Sequence, residues 1–258
     1  MSSKLQYSID AGIAEIVMTY PQRHNAFDAE SSAELVALLD KARSEGARVV
    51  LLGAEHGVKV WSAGHDISEL PPGGVEPDEW VNSMAEMANA VAAFPLPLIA
   101  VVEGGVWGGA CELTVCVDLI VAAENSTFAI TPAKLGVAYS SEGIARFLGA
   151  LPSHIVKQMF LTAEPIDAKR AYELGLVNYL AADGPTAWQQ AREVAAKIAQ
   201  RAPLTLQAVK TDAHAIITPT PAQIAAGAST RRAAWTSDDY KEGIAAFKSR
   251  RPPTFQGK

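Results

Sequence analysis

The chain is poor in the residues that build disulfides and metal centres. It holds two cysteines and five histidines in 258 residues. Cys111 and Cys116 are five apart on an expected helix, so their side chains point in different directions. They read as small buried hydrophobes, and a reducing, cytoplasmic setting fits them. His24, His56, His65, His154 and His214 are scattered. None falls in H-E-x-x-H or another ligand spacing, so no metal is expected. The serine-hydrolase elbow G-x-S-x-G is absent. So are G-x-x-x-x-G-K-[ST] and G-x-G-x-x-G, which excludes the common phosphate cradles. No apolar run approaches the ~20 residues of a membrane span. The opening MSSKLQYSID lacks the apolar core of a secretory signal. Basic charge is in deficit, with a net charge of −6, which argues against a nucleic-acid partner. It leaves room for a local basic patch that meets an anionic ligand.

Apolar residues make up 49% of the chain and charged residues 19%, enough for a sizeable core. The length suits one large domain, or one domain with a helical appendage. The most informative stretch is residues 98–118, LIAVVEGGVWGGACELTVCVD. An apolar strand feeds a glycine-rich turn, and the turn feeds a helix. The first N–H groups of a helix lack partners within it and carry the positive end of its dipole. Gly108 and Gly109 present no side chain to block approach. Such a turn either only packs or holds a developing negative oxygen.

The rest of the chain alternates. Residues 5–9 and 13–20 read as strands across the turn Asp10-Ala11-Gly12. Asp28 caps a helix to about Arg43, and Gly46 ends it. Residues 48–53 are a buried strand, and 54–61 a loop leading into SAGHDISEL. The breaker cluster at 71–78 reads as a mobile lid or a plain surface loop. A helix over 78–93 stops at Phe94-Pro95-Leu96-Pro97. Strands follow at 118–123 and 127–130. After Pro152 the pattern becomes helical, over 154–161, 167–174, 186–201, 203–217, 221–234 and 237–247, broken at 176–180. The alternation implies βαβ units. Ala-rich faces on the late helices suit packing on another subunit. No internal repeat stands out.

Residues 61–67, Trp-Ser-Ala-Gly-His-Asp-Ile, offer a second backbone donor at His65. Two donors converging from separate loops make an oxyanion hole, each worth ~10²–10³ in rate.

SAGHDISEL and VEGGVWGGACEL together resemble the enoyl-CoA hydratase/isomerase (crotonase) superfamily. Its members carry S-A-G-x-D-[IL] and a G-G-x-x-E helix start. The likeness runs from HNAFD through FAITPAKLGV and LTAEPIDAKRAYELGLVN to FKSRRPP. It implies an α/β crotonase (ClpP-like) spiral over residues 1–200. A helical region over 201–258 would serve oligomerisation and the CoA pocket. It further implies a homotrimer or dimer of trimers, an acyl-CoA thioester as partner, and no cofactor beyond the substrate's own CoA. The oxyanion donors then fall on the backbone of His65 and Gly109. Ala63, Gly64, His65, Asp66 and Ile67 would line the CoA, with Thr131 at the pocket wall. Arg23, His24 and Arg250 would meet phosphates, although an Arg-Arg pair such as 250–251 also reads as solvated charge.

Within the superfamily, VWSAGHDISELPPGG, STFAITPAKLGVAYS and SDDYKEGIAAF are most similar to the branch that decarboxylates methylmalonyl-CoA. Hydrating members use two carboxylates. The first matches Glu112; at the second stands Pro132, which transfers no proton. Decarboxylation of (methyl)malonyl-CoA to propanoyl-CoA or acetyl-CoA needs no base to begin. It needs an oxyanion hole and a donor that holds the carboxylate out of the thioester plane. The likeness gives that role to Tyr139, which on its own reads equally as a half-buried tyrosine. Glu112 reads as structural or as a water-positioning group. Ala138 replaces the proline that this branch carries before the tyrosine, which bears on pocket shape. The alternatives are a hydratase, isomerase or thioesterase of the same superfamily, or a non-catalytic acyl-CoA-binding protein.

Overall fold

The computed structural model describes residues 3–71, 81–217, 232 and 235–254. Its strands form two sheets. The larger has six strands, in the order β1 (Leu5–Asp10), β2 (Ile13–Met18), β3 (Val49–Ala54), β5 (Leu98–Val102), β7 (Leu119–Ala123) and β10 (Tyr179–Ala181). The smaller has four: β4 (Val60–Ser62), β6 (Gly105–Trp107), β8 (Thr127–Ala129) and β9 (Ile166–Asp167). Three times in succession a strand of the large sheet is followed by one of the small sheet: β3 then β4, β5 then β6, β7 then β8. This winds the chain into a spiral. The pairings are parallel except β1 with β2 and β8 with β9.

Strands β3 and β5 are buried along their whole length, as parallel strands covered on both faces must be. Val50, Leu52, Leu98, Ala100 and Val102 face the main core. Val49, Leu51, Ile99 and Val101 face the opposite layer, where helix α7 (Gly184–Ala199) brings Trp188. Gly53 makes room for that ring, since a Cβ there would lie 2.4 Å from it.

The other helices are α1 (Ala29–Ser44), α2 (Ser83–Ala92), α3 (Gly109–Cys116), α4 (Ser141–Ala150), α5 (Ser153–Thr162), α6 (Ala168–Glu173), α8 (Pro203–Ile217) and α9 (Asp238–Lys248). Asp28 caps α1 as expected. Its carboxylate accepts from the Ser31 N–H at 2.9 Å, and Ser31 Oγ accepts in return from the Asp28 N–H at 3.0 Å.

Several expectations need correcting. The glycine turn after β5 contains a strand of its own, β6, because the small sheet lies beside it. Its three residues are too few to show a period. The same holds for β4 in the expected 54–61 loop. Helix α3 ends at Cys116, short of the end of the 98–118 stretch, and Val117 is extended. Asp118 then accepts from the Leu98 N–H at 2.7 Å and from Lys210 Nζ at 2.6 Å, which fixes the start of β7. Helix α2 begins at Ser83, where Asn82 caps it by accepting from the Ala85 N–H at 3.0 Å. The 71–78 loop beyond Pro71, and nearly all of the helix expected over 221–234, lie outside the described residues. Helix α4 was not expected at all.

Helix α9 is seated on the turn at 132–137. A Cβ on Gly243 would lie 2.2 Å from the Leu135 carbonyl oxygen, and one on Gly136 2.9 Å from that of Asp239. The Tyr240 hydroxyl donates to the Pro71 carbonyl. Among the described residues, no helix is long and apolar enough to cross a membrane.

Candidate active site

One cleft gathers most of the expected residues. It offers about 130 Å³ to water-sized groups and lies between residues 63–70, α2, the start of α3 and residues 131–140. Ala63, His65, Ile67, Gly109, Thr131 and Tyr139 line it, together with Glu112.

The loop over residues 63–66 is splinted by the HNAF segment. Ala63 N–H donates to the His24 carbonyl (2.9 Å), Phe27 N–H to the Gly64 carbonyl (2.8 Å), and Asp66 N–H to the Phe27 carbonyl (2.7 Å). Asn25 is buried beneath. Its side-chain amide donates to the Trp61 carbonyl at 2.9 Å, and its main-chain carbonyl accepts from Ser62 Oγ at 2.8 Å. Phe27 and His65 form a parallel bridge. Because that bridge uses the Gly64 carbonyl and the Asp66 N–H, the N–H of His65 faces away from Phe27.

Gly64 brings this loop against α3. Its φ is +81°, and a Cβ on it would lie 2.6 Å from the Gly109 nitrogen and 2.7 Å from the Trp107 carbonyl oxygen. Only glycine fits there. The close approach places the His65 backbone beside Gly109, the first residue of α3, whose N–H has no partner within its helix. Gly108, at φ +55°, makes the turn into α3, and Thr131 Oγ1 sits 3.1 Å from where its Cβ would be.

The His65 imidazole is 13% exposed, with Nε2 3.6 Å from Glu69 Oε2. Burial pulls its pKa below 6.5, against the opposing charges of Glu69, Asp66 and Asp28. It is therefore neutral at pH 7.

The opposite wall consists of side chains. Tyr139 packs edge-on against Phe160 and Phe147, with ring centroids 5.1 and 6.3 Å away. Its buried hydroxyl has no hydrogen-bond partner. Burial, reinforced by the charge of Glu112 and by its pull on the hydroxyl as a nearby acceptor, pushes the phenol well above its ordinary pKa, so it keeps its proton. Glu112, on the first turn of α3, forms an ion pair with Arg146 of α4. Arg146 also donates to Asn89 Oδ1 on α2. Both side chains of the pair are nearly buried, at 12% and 10% exposure. Removing one partner from such a pair typically costs about 3–5 kcal/mol. Pro132 also lines the cleft, so its position supplies no second carboxylate.

Other expected residues stand outside the lining. Gly64 lies behind it. The Asp66 carboxylate is occupied: one oxygen caps the turn at Ile67–Glu69 through the Ser68 N–H (2.9 Å), and the other accepts from Arg23 (2.9 Å). His24 is exposed, its ring 6.1 Å from that of Trp107. Arg250 is exposed just after α9. Arg146, Asn89, Met84 and Trp235 escaped the sequence reading. Ser140, whose Oγ accepts from the Gly143 N–H at 2.9 Å, is the helix-start signal that leads to Arg146. Among the described residues, no group of acidic, histidine or cysteine side chains could hold a metal.

The chain is similar to known proteins along nearly its whole length. The family model for enoyl-CoA hydratase/isomerase matches residues 8–258. Methylmalonyl-CoA decarboxylase of Escherichia coli K12 is 36% identical over 251 residues, covering 95% of each chain. Carnitinyl-CoA dehydratase of Citrobacter koseri is 31% identical over 266 residues, covering 100% of each. Among solved structures, methylmalonyl-CoA decarboxylase complexed with 2S-carboxypropyl-CoA superposes with a TM-score of 0.94, at 34% identity and 100% coverage of both chains. From its motifs, its two-sheet spiral and these likenesses, the chain belongs to the enoyl-CoA hydratase/isomerase family, and its fold is the crotonase fold.

Proposed function

We propose that this protein decarboxylates methylmalonyl-CoA, or a close malonyl-type thioester, to propanoyl-CoA or its homologue. The N–H groups of His65 and Gly109 grip the thioester oxygen, and the Tyr139 hydroxyl donates to the departing carboxylate. The bond from C2 to the carboxylate carbon breaks, CO₂ leaves, and the electron pair moves through C2 to the thioester oxygen. A proton from water then completes the product. No metal or biotin enters this scheme.

The observation that carries the reading is the Tyr139 hydroxyl, buried at the cleft and without a partner in the protein. Leaving a buried hydroxyl unsatisfied is unfavourable, so a ligand acceptor is its natural complement. A neutral donor orients the carboxylate without the ground-state grip of a cation. Among the described lining residues the one carboxylate is Glu112, and Arg146 already holds it. That disfavours chemistry needing two free carboxylates. The relative named methylmalonyl-CoA decarboxylase adds support at 36% identity.

Arg23, His24 and Arg250 are proposed to meet the CoA phosphates from the rim. Helix α8 is exposed along nearly all its described length, with Leu204 at 78% and Val209 at 63%. A homotrimer or dimer of trimers would cover it, which sedimentation tests.

The deciding experiment offers methylmalonyl-, ethylmalonyl-, malonyl- and crotonyl-CoA and follows products by mass spectrometry. Propanoyl-CoA and CO₂ from methylmalonyl-CoA are expected. Hydration of crotonyl-CoA with no CO₂ from any malonyl ester would overturn the reading.

A further inference from the structure

Tyr139 and Glu112 converge on one point. A Cβ built on Gly143 would lie 2.5 Å from Tyr139 Cε1 and 3.1 Å from Glu112 Oε1. A phenol donor and a carboxylate acceptor so close would ordinarily bond, since both are buried. Yet the Tyr139 hydroxyl makes no hydrogen bond of good geometry within the protein, although Glu112 lies near enough to act on it as an acceptor, and Glu112 Oε1 accepts from Arg146. Arg146 is itself tied down by Asn89 on α2, so the guanidinium bridges three helices, α2, α3 and α4.

The geometry points to Arg146 as a positioning residue: by holding Glu112, it keeps that carboxylate from capturing the Tyr139 hydroxyl and leaves the hydroxyl for a carboxylate on the ligand. This rests on the proposed role of Tyr139 toward the substrate carboxylate. Gly143 belongs to the same device, because any side chain there would collide with the Tyr139 ring. The ring is boxed by Phe147 and Phe160, which are themselves edge-to-face with centroids 5.3 Å apart. With the ring held, rearrangement falls to Glu112. Without Arg146, its carboxylate is an unpaired buried charge, and the phenol is the donor beside it.

The test reads binding, so it needs no turnover. Two CoA thioethers are titrated calorimetrically, one with a carboxylate at C2 of its propyl arm and one without. The readout is the ratio of their affinities. Arg146→Met should lower the preference for the carboxylated thioether about tenfold, the scale of one hydrogen bond to a charged group. The plain thioether should bind as before. Arg146→Met with Glu112→Leu replaces the ion pair by an apolar pair and removes the competing acceptor. This double variant should regain the preference. Arg146→Lys, which keeps the cation, should lose little. If Arg146→Met does not accumulate as folded protein, Arg146→Gln takes its place. An unchanged ratio in the single variant overturns the inference. So does a double variant as impaired as the single one, because a merely structural ion pair would not restore selectivity through the loss of Glu112. If the wild type shows this pattern but releases no CO₂ from methylmalonyl-CoA, the decarboxylase reading falls and the role of Arg146 stands. If CO₂ is released but the ratio ignores Arg146, the reverse holds.

Discussion

The two walls of the cleft are built from different materials. One is main chain: residues 63–66, splinted by residues 24–27 and pressed against the first residue of α3. The other is side chain: Tyr139, with Glu112 and Arg146 behind it. In the proposed reaction the main-chain wall meets what acyl-CoA thioesters share, the carbonyl oxygen. It is fixed by geometry that only glycine at 64 permits. A side-chain wall is free to change by substitution, and in the proposed reaction it faces the part of the substrate that differs between reactions. In that reaction the first wall makes an enolate possible and the second selects how it is reached.

Damage to the main-chain wall should have the largest effect. Gly64→Ala would push a Cβ into the Gly109 nitrogen and force a positive φ on alanine. It should lower kcat by ~10²–10³, the effect of losing one oxyanion donor. Steady-state kinetics beside a thermal melt separates this from unfolding. Gly109→Ala should do less harm, since its Cβ would meet only the flexible Met84 side chain at 3.1 Å. Equal damage from the two would break the distinction drawn at Gly64.

On the other wall, Tyr139→Phe should reduce kcat for a malonyl-type ester by about 10–100-fold with KM changed little, the mark of an interaction made on the way to the transition state. A matched rise in KM would mean that Tyr139 only shapes the pocket. Gly143→Ala should resemble Tyr139→Phe, because the new methyl would displace that ring.

The smallest effects concern pH. His65 titrates below 6.5 in the folded protein because it is buried. As pH falls through 6.5, the unfolded chain takes a proton that the folded one refuses, and stability declines. Asp28 acts lower. Burial raises its carboxyl, but hydrogen bonds from Lys4 and Ser31 outweigh this and bring it down to about 2. Its contribution is present above pH 3.8 and is lost as pH falls toward 2. Melting curves should therefore show a first loss as pH falls through 6.5 that His65→Gln diminishes. A loss identical in that variant would assign it elsewhere.

The two walls also differed in how readable they were. The meeting of Gly64 and His65 with Gly109 could be read from contiguous motifs, and the role proposed for the last two lies in their backbone. The elements around them followed from period and punctuation: the apolar runs of β3 and β5, the Asp28 cap, the break at residues 94–97. Arg146 could not be read that way. Its partner lies 34 positions earlier on another helix, and its own helix was overlooked. The Ser140 cap falls directly after the turn that holds Gly136 and hides in its loop-like composition. The short strands β4, β6 and β9 were missed for a different reason. Three residues or fewer carry no period, and only the neighbouring strand makes them strands. The spiral thus repeats in space with no repeat in sequence, because each turn of it is set by pairing and not by identity of residues.

The seating of α9 bears on when the protein becomes competent during its synthesis. Both walls are built from residues 24–146, which leave the ribosome before residues 235–248. Trp235, which helps line the cleft, and the interlocked Gly136 and Gly243 join regions far apart in the order of translation. A nascent chain can therefore assemble both walls and still lack the element that closes over them. Completion of the pocket is deferred until residues 235–248 have followed.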